Sequence, residues 1–211
     1  MKPKLKSSLS EVAEFFIHFI MFYASFLYIW LNYEVHYNYF MLQNAMNIFM
    51  WQFDFELVKI NTIDKHSLNF FFSNDYFEKM RVNLAPFKLS TSVITYNIPM
   101  TLSATVALII VKSRKISDYF LIVYVFIMLM LLHLFTLYIS SIGSFVKASF
   151  TQPLLSDYIN GYSMILDDYK YIGRFLIHYA IRFEPFMMMI FVWYFLQKAM
   201  GSTNSREITS S

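Results

Sequence analysis

Four long apolar stretches, separated by polar segments, dominate the chain. Residues 93–111 and 119–142 contain no Asp, Glu, Lys or Arg, and residues 12–32 and 175–197 are apolar with isolated polar interruptions. A helix needs about 20 apolar residues to cross a bilayer. The pattern therefore predicts four transmembrane helices.

The segment between the first two predicted spans, residues 33–92, has its own pattern. Residues 36–51 are apolar at helical spacing but too few to span, which predicts a helix lying at the membrane interface. In residues 53–58 apolar and acidic side chains alternate, as in a half-buried strand. Residues 67–72 and 80–84 give weaker strand signals. A two- or three-stranded sheet beneath the interfacial helix is expected.

Two further features are predicted in the polar segments, a turn and a short helix. Asn74-Asp75 suits a turn between the weaker strands. In the segment 143–174, residues 156–166 predict a short helix along the membrane surface. The predicted fold class is an all-α membrane protein with four transmembrane helices and a small extracytoplasmic α+β insertion between the first and the second.

Basic residues are concentrated next to the predicted spans. They are Lys2, Lys4 and Lys6 before the first, Lys112, Arg114 and Lys115 between the second and third, and Lys198 and Arg206 after the fourth. The positive-inside rule assigns such segments to the cytoplasm. The N-terminus (1–11), the turn 112–118 and a disordered tail (198–211) are thus predicted inside, and residues 33–92 and 143–174 outside.

The N-terminus shares its lysines and apolar run with signal peptides. Glu11 and Glu14 interrupt the entry to this run, which is longer than a signal peptide's apolar region, and no small-residue cleavage site follows. The pattern favours an uncleaved anchor.

Composition narrows the function further. Of 211 residues, 57% are hydrophobic, 20% aromatic and 15% charged, and cysteine is absent. Disulfides, thiolate catalysis and cysteine metal sites are therefore excluded. The chain carries a net charge of +3, but its basic residues are not clustered with aromatic residues on a soluble face. Binding of nucleic acid is therefore not expected. No nucleophile motif, phosphate loop or metal-type histidine spacing occurs, and neither a catalytic role nor a cofactor is expected.

The fourth predicted span contains unusual polar groups. An ionisable side chain at the membrane centre costs about 2.5–3.5 kcal/mol on insertion scales. Arg182 and Glu184 lie about 200° apart around a helix, so each is expected to need its own partner. His178 shares a face with Arg182, and Pro185 removes a backbone donor.

Two more histidines, His18 and His133, lie within the first and third predicted spans. The candidate contacts to a membrane partner are therefore His178, Arg182, Glu184, Pro185, His133 and His18. Two structural alternatives stay open. The charged pair could bond to histidines or tyrosines within the bundle, or span 4 could start later and leave both at the interface, where they snorkel.

The order of features resembles a known family. An N-terminal anchor is followed by an amphipathic helix and a strand-like stretch. Then come Asn83-Leu84-Ala85-Pro86-Phe87, Thr95-Tyr96-Asn97-Ile98-Pro99 and, in the last span, Phe183-Glu184-Pro185 with Trp193. This layout resembles the small integral membrane proteins associated with exosortase H. The resemblance implies a non-catalytic companion of a membrane enzyme that processes C-terminal sorting signals.

The leading hypothesis is therefore a multi-pass accessory protein of a bacterial inner-membrane complex, with both termini in the cytoplasm. Its expected partners are the lipid bilayer and another polytopic membrane protein. The alternatives are a small transporter or channel subunit, a membrane enzyme that uses His and Glu as acid and base, and a subunit of an organellar respiratory complex.

Overall fold

The chain forms two compact units of different character. A computed structural model describes residues 3–80, 87–91, 97–113, 115–149, 153–161, 175 and 181–208. Residues 1–32, 96–129 and 183–211 form one unit, here called the helical unit. Residues 33–95 and 130–182 form the other, here called the mixed unit.

Helices account for most of the structure, and one small sheet accompanies them. The helices are α1 (Pro3–Phe53), α2 (Asp75–Lys79), α3 (Asn97–Lys112), α4 (Phe120–Ser149), α5 (Pro153–Asn160) and α6 (Ile181–Ile208), with a 3-10 turn at Ile116–Tyr119. The strands are β1 (Glu56–Asp64), β2 (Ser67–Ser73) and β3 (Phe87–Ser90). The predicted small sheet between the first and second apolar stretches is confirmed.

Helix α1 is longer than the sequence predicted. It runs for 51 residues, where a span ending at residue 32 and a separate interfacial helix were expected. The polar group Asn32-Tyr33-Glu34 does not interrupt it. The Asn32 amide donates to the carbonyl of Tyr28 one turn earlier, at 2.8 Å, and Glu34 is buried against a distant lysine.

The sheet is antiparallel in the order β1-β2-β3. A two-residue turn, Lys65-His66, joins β1 to β2, and the main-chain N–H of His66 donates to Asp64 at 2.7 Å. This hydrogen bond is the main reason why the pKa of Asp64 lies below its ordinary value. Val58 and Ile63 are extra residues in β1 at its two register shifts. Both are exposed, as expected for bulges on an edge strand.

The segment after β2 differs from the prediction. Asn74 does not form a turn between strands but caps helix α2, its side-chain oxygen accepting from the Phe77 N–H at 3.1 Å. Met80, expected to start a third strand, is the C-cap of this helix. The rest of that predicted strand, residues 81–84, lies outside the described residues, and the third strand is formed by Phe87–Ser90.

An aromatic core holds the mixed unit together. The ring of Phe49, on α1, has five phenylalanine neighbours with centroids 4.8 to 6.2 Å away: Phe53, Phe55, Phe72, Phe87 and Phe145. They come from the end of α1, from β2 and β3, from α4 and from the residue before β1. Rings at these separations add specific attraction to the burial of their area.

The helical unit is organised differently. In α3 nearly every residue from Ile98 to Ile109 is buried, and the hydroxyl of Thr105 donates to the carbonyl of Thr101 at 2.8 Å. In α1, by contrast, large apolar residues such as Phe16 and Ile20 are exposed. Lys112, at the end of α3, pairs with Glu11 of α1 at 2.5 Å.

Within the described ranges, two helical segments are long and apolar enough to cross a membrane, Leu9–Phe53 and Ile116–Ser149. The other two predicted spans do not reach that standard among the residues that the structure describes. Helix α3 has only 16 residues. Helix α6 has 28 residues, but its apolar stretch is interrupted by Arg182, Glu184 and Lys198, and residues 176–180 before it lie outside the description. The tail predicted to be disordered is helical through Ile208.

We expect Phe49→Ala to loosen the whole mixed unit. Truncating a buried phenylalanine costs about 3–5 kcal/mol because the contacts are lost and a cavity is left. Hydrogen–deuterium exchange of the full chain in detergent micelles should show faster exchange throughout β2. The control is Trp51→Ala, two residues along α1, because Trp51 is 84% exposed. Equal effects of the two substitutions would contradict the proposed core.

Candidate functional site

Glu184 is the most deeply buried charged group of the fourth apolar stretch. Its side chain lies near the start of α6 and is only 1% exposed. The amide of Asn97, the first residue of α3, donates to Glu184 Oε2 at 3.3 Å. A carboxylate in the first turn of a helix is also stabilised by the helix dipole. Asn97 and Glu184 thus join the starts of α3 and α6 within the helical unit.

Arg182 has the opposite environment. It is exposed, whereas Glu184 and Pro185 are buried. This agrees with the expected separation of about 200° around the helix. Pro185 is the fifth residue of α6. Because it has no N–H group, the first main-chain hydrogen bond of the helix, to the carbonyl of Ile181, is not made. His178, the remaining candidate of this stretch, lies outside the described residues.

The other two candidate histidines are bonded within their own surroundings. His18 Nδ1 lies 2.8 Å from the carbonyl of Glu14 on α1. His133 is fully buried in α4, with its Nδ1 2.9 Å from the hydroxyl of Tyr37. His133 belongs to the mixed unit, and His18 and Glu184 to the helical unit. No cluster of three metal-type side chains occurs in the described part of the chain.

A buried polar cluster that sequence reasoning missed connects α1 to the β1–β2 turn. Glu34, 2% exposed, forms an ion pair with Lys65. One turn later, the amide of Asn38 donates to the carbonyl of Lys65 at 3.1 Å and lies 3.0 Å from His66 Nδ1. Because Glu34 and Asn38 are four residues apart, they share one face of α1. Two polar residues four positions apart within an otherwise apolar helix were the sequence signal that could have predicted this cluster.

The mixed unit also contains an open cleft of about 460 Å³. It is lined by Asp54, Glu56, Asn74, Asp75, Tyr76, Lys79, Met80 and Tyr158. Its volume is in the range of sites for small ligands or single side chains. Among these described residues, three carboxylates and one ammonium group give an excess of negative charge. The cleft is more polar than the small apolar cavity beside Val35, Tyr39 and Leu42 in the same unit.

Local structure explains how the cleft forms. Asp54 has a φ of 52°, the left-handed conformation that lets the chain leave α1 and enter β1 within two residues. Asn74 starts α2 as its cap, with acidic residues in the first turn, which was a recognisable start signal. The hydroxyl of Tyr158, on α5, donates to the carbonyl of Phe53 at 2.7 Å and fixes this wall.

Comparison of the chain with protein-family models, curated proteins and solved structures found no match. The arguments for function therefore start from the exposed surfaces and the polar groups described above.

The ion pair between Glu34 and Lys65 gives a sharp test of the polar cluster. Lys65→Met removes the partner of Glu34 Oε1, and Glu34 Oε2 already has no hydrogen-bond partner among the residues described. We expect a loss of about 1–3 kcal/mol, the cost of leaving a buried polar group unpaired. Hydrogen exchange of the β1–β2 hairpin reports this loss.

The double variant Glu34→Leu/Lys65→Met should recover much of the stability, because no buried charge is then left without its partner. Lys59→Met is the matched control, since Lys59 is an exposed lysine of β1. If the double variant is as unstable as Lys65→Met, the pair is not what holds the hairpin to α1.

Proposed function

We propose that this chain is a non-catalytic integral membrane protein that crosses the bilayer four times and carries the mixed unit as a binding surface for another membrane protein. One observation carries the proposal. The most apolar stretch of α1 contains no residue that is buried inside the structure. A soluble helix of this composition would hide one face. We therefore infer that lipid or other transmembrane helices cover it.

The dimensions of α1 agree with a membrane location. Residues 15–33 contain no charged side chain. Nineteen helical residues rise about 28 Å, close to the thickness of about 30 Å of a hydrocarbon layer. Glu11 precedes this stretch in the chain and pairs with Lys112. In this proposal the ion pair lies at the cytoplasmic boundary of the hydrocarbon layer.

The two shorter helices complete a four-helix arrangement in this proposal. Lys112 ends α3, and Asn97 begins it, about 22 Å away along the helix axis. If Lys112 marks the inner boundary, the bond between Asn97 and Glu184 lies within the hydrocarbon layer. Such a bond offsets part of the cost of a polar group in lipid. Exposed apolar residues of α6, including Phe183, Phe186 and Ile190, would face lipid.

The use of the polar groups supports a binding role rather than catalysis. In the described part of the helical unit, Glu184, Asn97, Glu11, Lys112 and His18 all take part in contacts that join or stabilise helices. Arg182, the last residue of the mixed unit, is exposed, and we assign to it the contact with a partner. The resemblance to exosortase-associated proteins adds the bacterial inner membrane and protein sorting to the proposal.

Single cysteines would test the crossing of the membrane, because the natural chain has none. Glu78→Cys in the mixed unit should react with an impermeant maleimide in intact cells, and Lys115→Cys only after permeabilisation. Ile20→Cys should stay unreactive in both, although Ile20 is exposed in the structure, because a thiol in hydrocarbon does not ionise. Fast labelling of Ile20→Cys would contradict a membrane location.

Arg182 and Glu184 should fail in different ways when replaced by leucine. Arg182→Leu is expected to reduce recovery of a crosslinked partner from native membranes several-fold, while the chain itself remains stable. Glu184→Leu removes the acceptor of the Asn97 amide and should destabilise the helical unit by about 1–3 kcal/mol.

Lys198→Leu is the control for these variants, because it removes an exposed positive charge from the same helix. Recovery is measured by affinity purification and mass spectrometry after crosslinking. If Arg182→Leu and Glu184→Leu recover every partner as the unmodified chain does, these residues do not form a docking site.

A further inference from the structure

We propose that the cleft of the mixed unit binds one basic side chain, a lysine or arginine, of an extended segment in the partner protein. This inference deepens the proposed function, on which it rests for the existence of a protein partner. Charge is the first argument. Among the described residues, Asp54, Glu56 and Asp75 line the cleft together with one lysine, Lys79. All three carboxylates are exposed to solvent and accessible to a ligand.

Aromatic rings provide the second argument. The rings of Tyr76 and Tyr158 line the cleft, with centroids 5.6 Å apart and planes inclined at 40°. Phe77 supports both from behind, at 5.1 Å from Tyr76 and 5.4 Å from Tyr158. A cation near the faces of such rings is attracted by their negative potential. Tyrosine rings beside carboxylates therefore favour a cation that has an apolar stem, as lysine and arginine do.

Asn74 provides the third and most specific argument. Its side chain is only 8% exposed and lines the cleft. The amide oxygen is occupied, because it accepts from the Phe77 N–H. The amide nitrogen is not one of the buried polar atoms that lack a partner, so it is open to solvent or to a ligand. An N–H donor beside carboxylates would suit a ligand that carries an acceptor as well as a positive charge. A peptide carbonyl next to a basic side chain meets both requirements.

The neighbouring strand favours a peptide over a small amine. Glu56, which lines the cleft, is also the first residue of β1, and β1 is at the edge of the sheet. The next two residues, Leu57 and Val58, are exposed and apolar. An extended segment with its basic side chain in the cleft could continue along this edge. Strand addition of this kind is a common mode of peptide recognition.

The experiment uses the full chain in nanodiscs of phosphatidylcholine, a lipid without net charge. The probes are four fluorescent nine-residue peptides, acetyl-GSTVXVTSG-amide, in which X is arginine, lysine, glutamine or glutamate. Fluorescence anisotropy should detect binding of the arginine and lysine peptides, which added salt should weaken. The glutamine peptide should bind at least tenfold more weakly, and the glutamate peptide not at all. Equal binding of the glutamine peptide would overturn the inference.

Variants assign the binding to the cleft. Glu56→Gln/Asp75→Asn should weaken the arginine peptide about tenfold, whereas Glu78→Gln, an exposed acidic residue of α2 outside the cleft, should leave it unchanged. Asn74→Ser keeps a good helix cap but removes the amide donor, and should weaken binding several-fold. Lys79→Gln should strengthen binding several-fold, a gain that unfolding cannot produce. An unchanged affinity in these cleft variants would overturn the assignment.

Spermidine is the competitor that separates a peptide site from an amine site. If spermidine displaces the arginine peptide at equal concentration and Asn74→Ser has no effect, the cleft recognises charge alone and the peptide inference fails. The result of the peptide-binding experiment does not depend on the four-span proposal. That proposal is tested separately by the cysteine labelling. Absence of peptide binding combined with the expected labelling pattern would remove only this inference.

Discussion

The packing of aromatic rings around Phe49 is the interaction on which the mixed unit depends. This one side chain contacts rings before β1, within β2 and β3, and on α4. A three-stranded sheet is marginally stable by itself and needs an apolar surface to pack against. Helices α1 and α4 supply that surface, so the sheet forms only when residues almost 100 positions apart in the chain have come together. Stability and long-range order in this unit therefore arise from the same contacts.

The buried polar cluster determines where the hairpin meets α1. Phenylalanine contacts are non-directional and tolerate small shifts of one surface over another. An ion pair between Glu34 and Lys65, with two further contacts from the Asn38 amide, ties the β1–β2 turn to one face of the helix. Burying a carboxylate costs free energy even when it is paired. We interpret this cost as the source of a specific register between helix and hairpin.

Sequence reasoning predicted the elements that depend on local composition. The described parts of the apolar stretches are helical, β1 and β2 overlap the strand signals at 53–58 and 67–72, and Arg182 and Glu184 face different environments. The third strand, Phe87–Ser90, lies beyond the signal at 80–84. The continuity of α1 could not be predicted, because Glu34 is accommodated by Lys65, which is 31 positions away. For the same reason the partner of Glu184 was missed, since Asn97 is 87 positions distant. Periodicity detects the faces of an element but not the residue that will cover them.

The cleft illustrates why a site of this kind is invisible in the sequence. Its walls come from the end of α1, the start of β1, helix α2 and helix α5, and no short motif contains them. Their positions follow from the core, because Phe55 contacts Phe72, Phe77 and Tyr158 as well as Phe49. Since the same rings build the core and support the cleft, a ligand that binds only the folded cleft must also stabilise the mixed unit by mass action. Occupancy of the cleft and the order of the sheet are therefore coupled properties of this part of the protein.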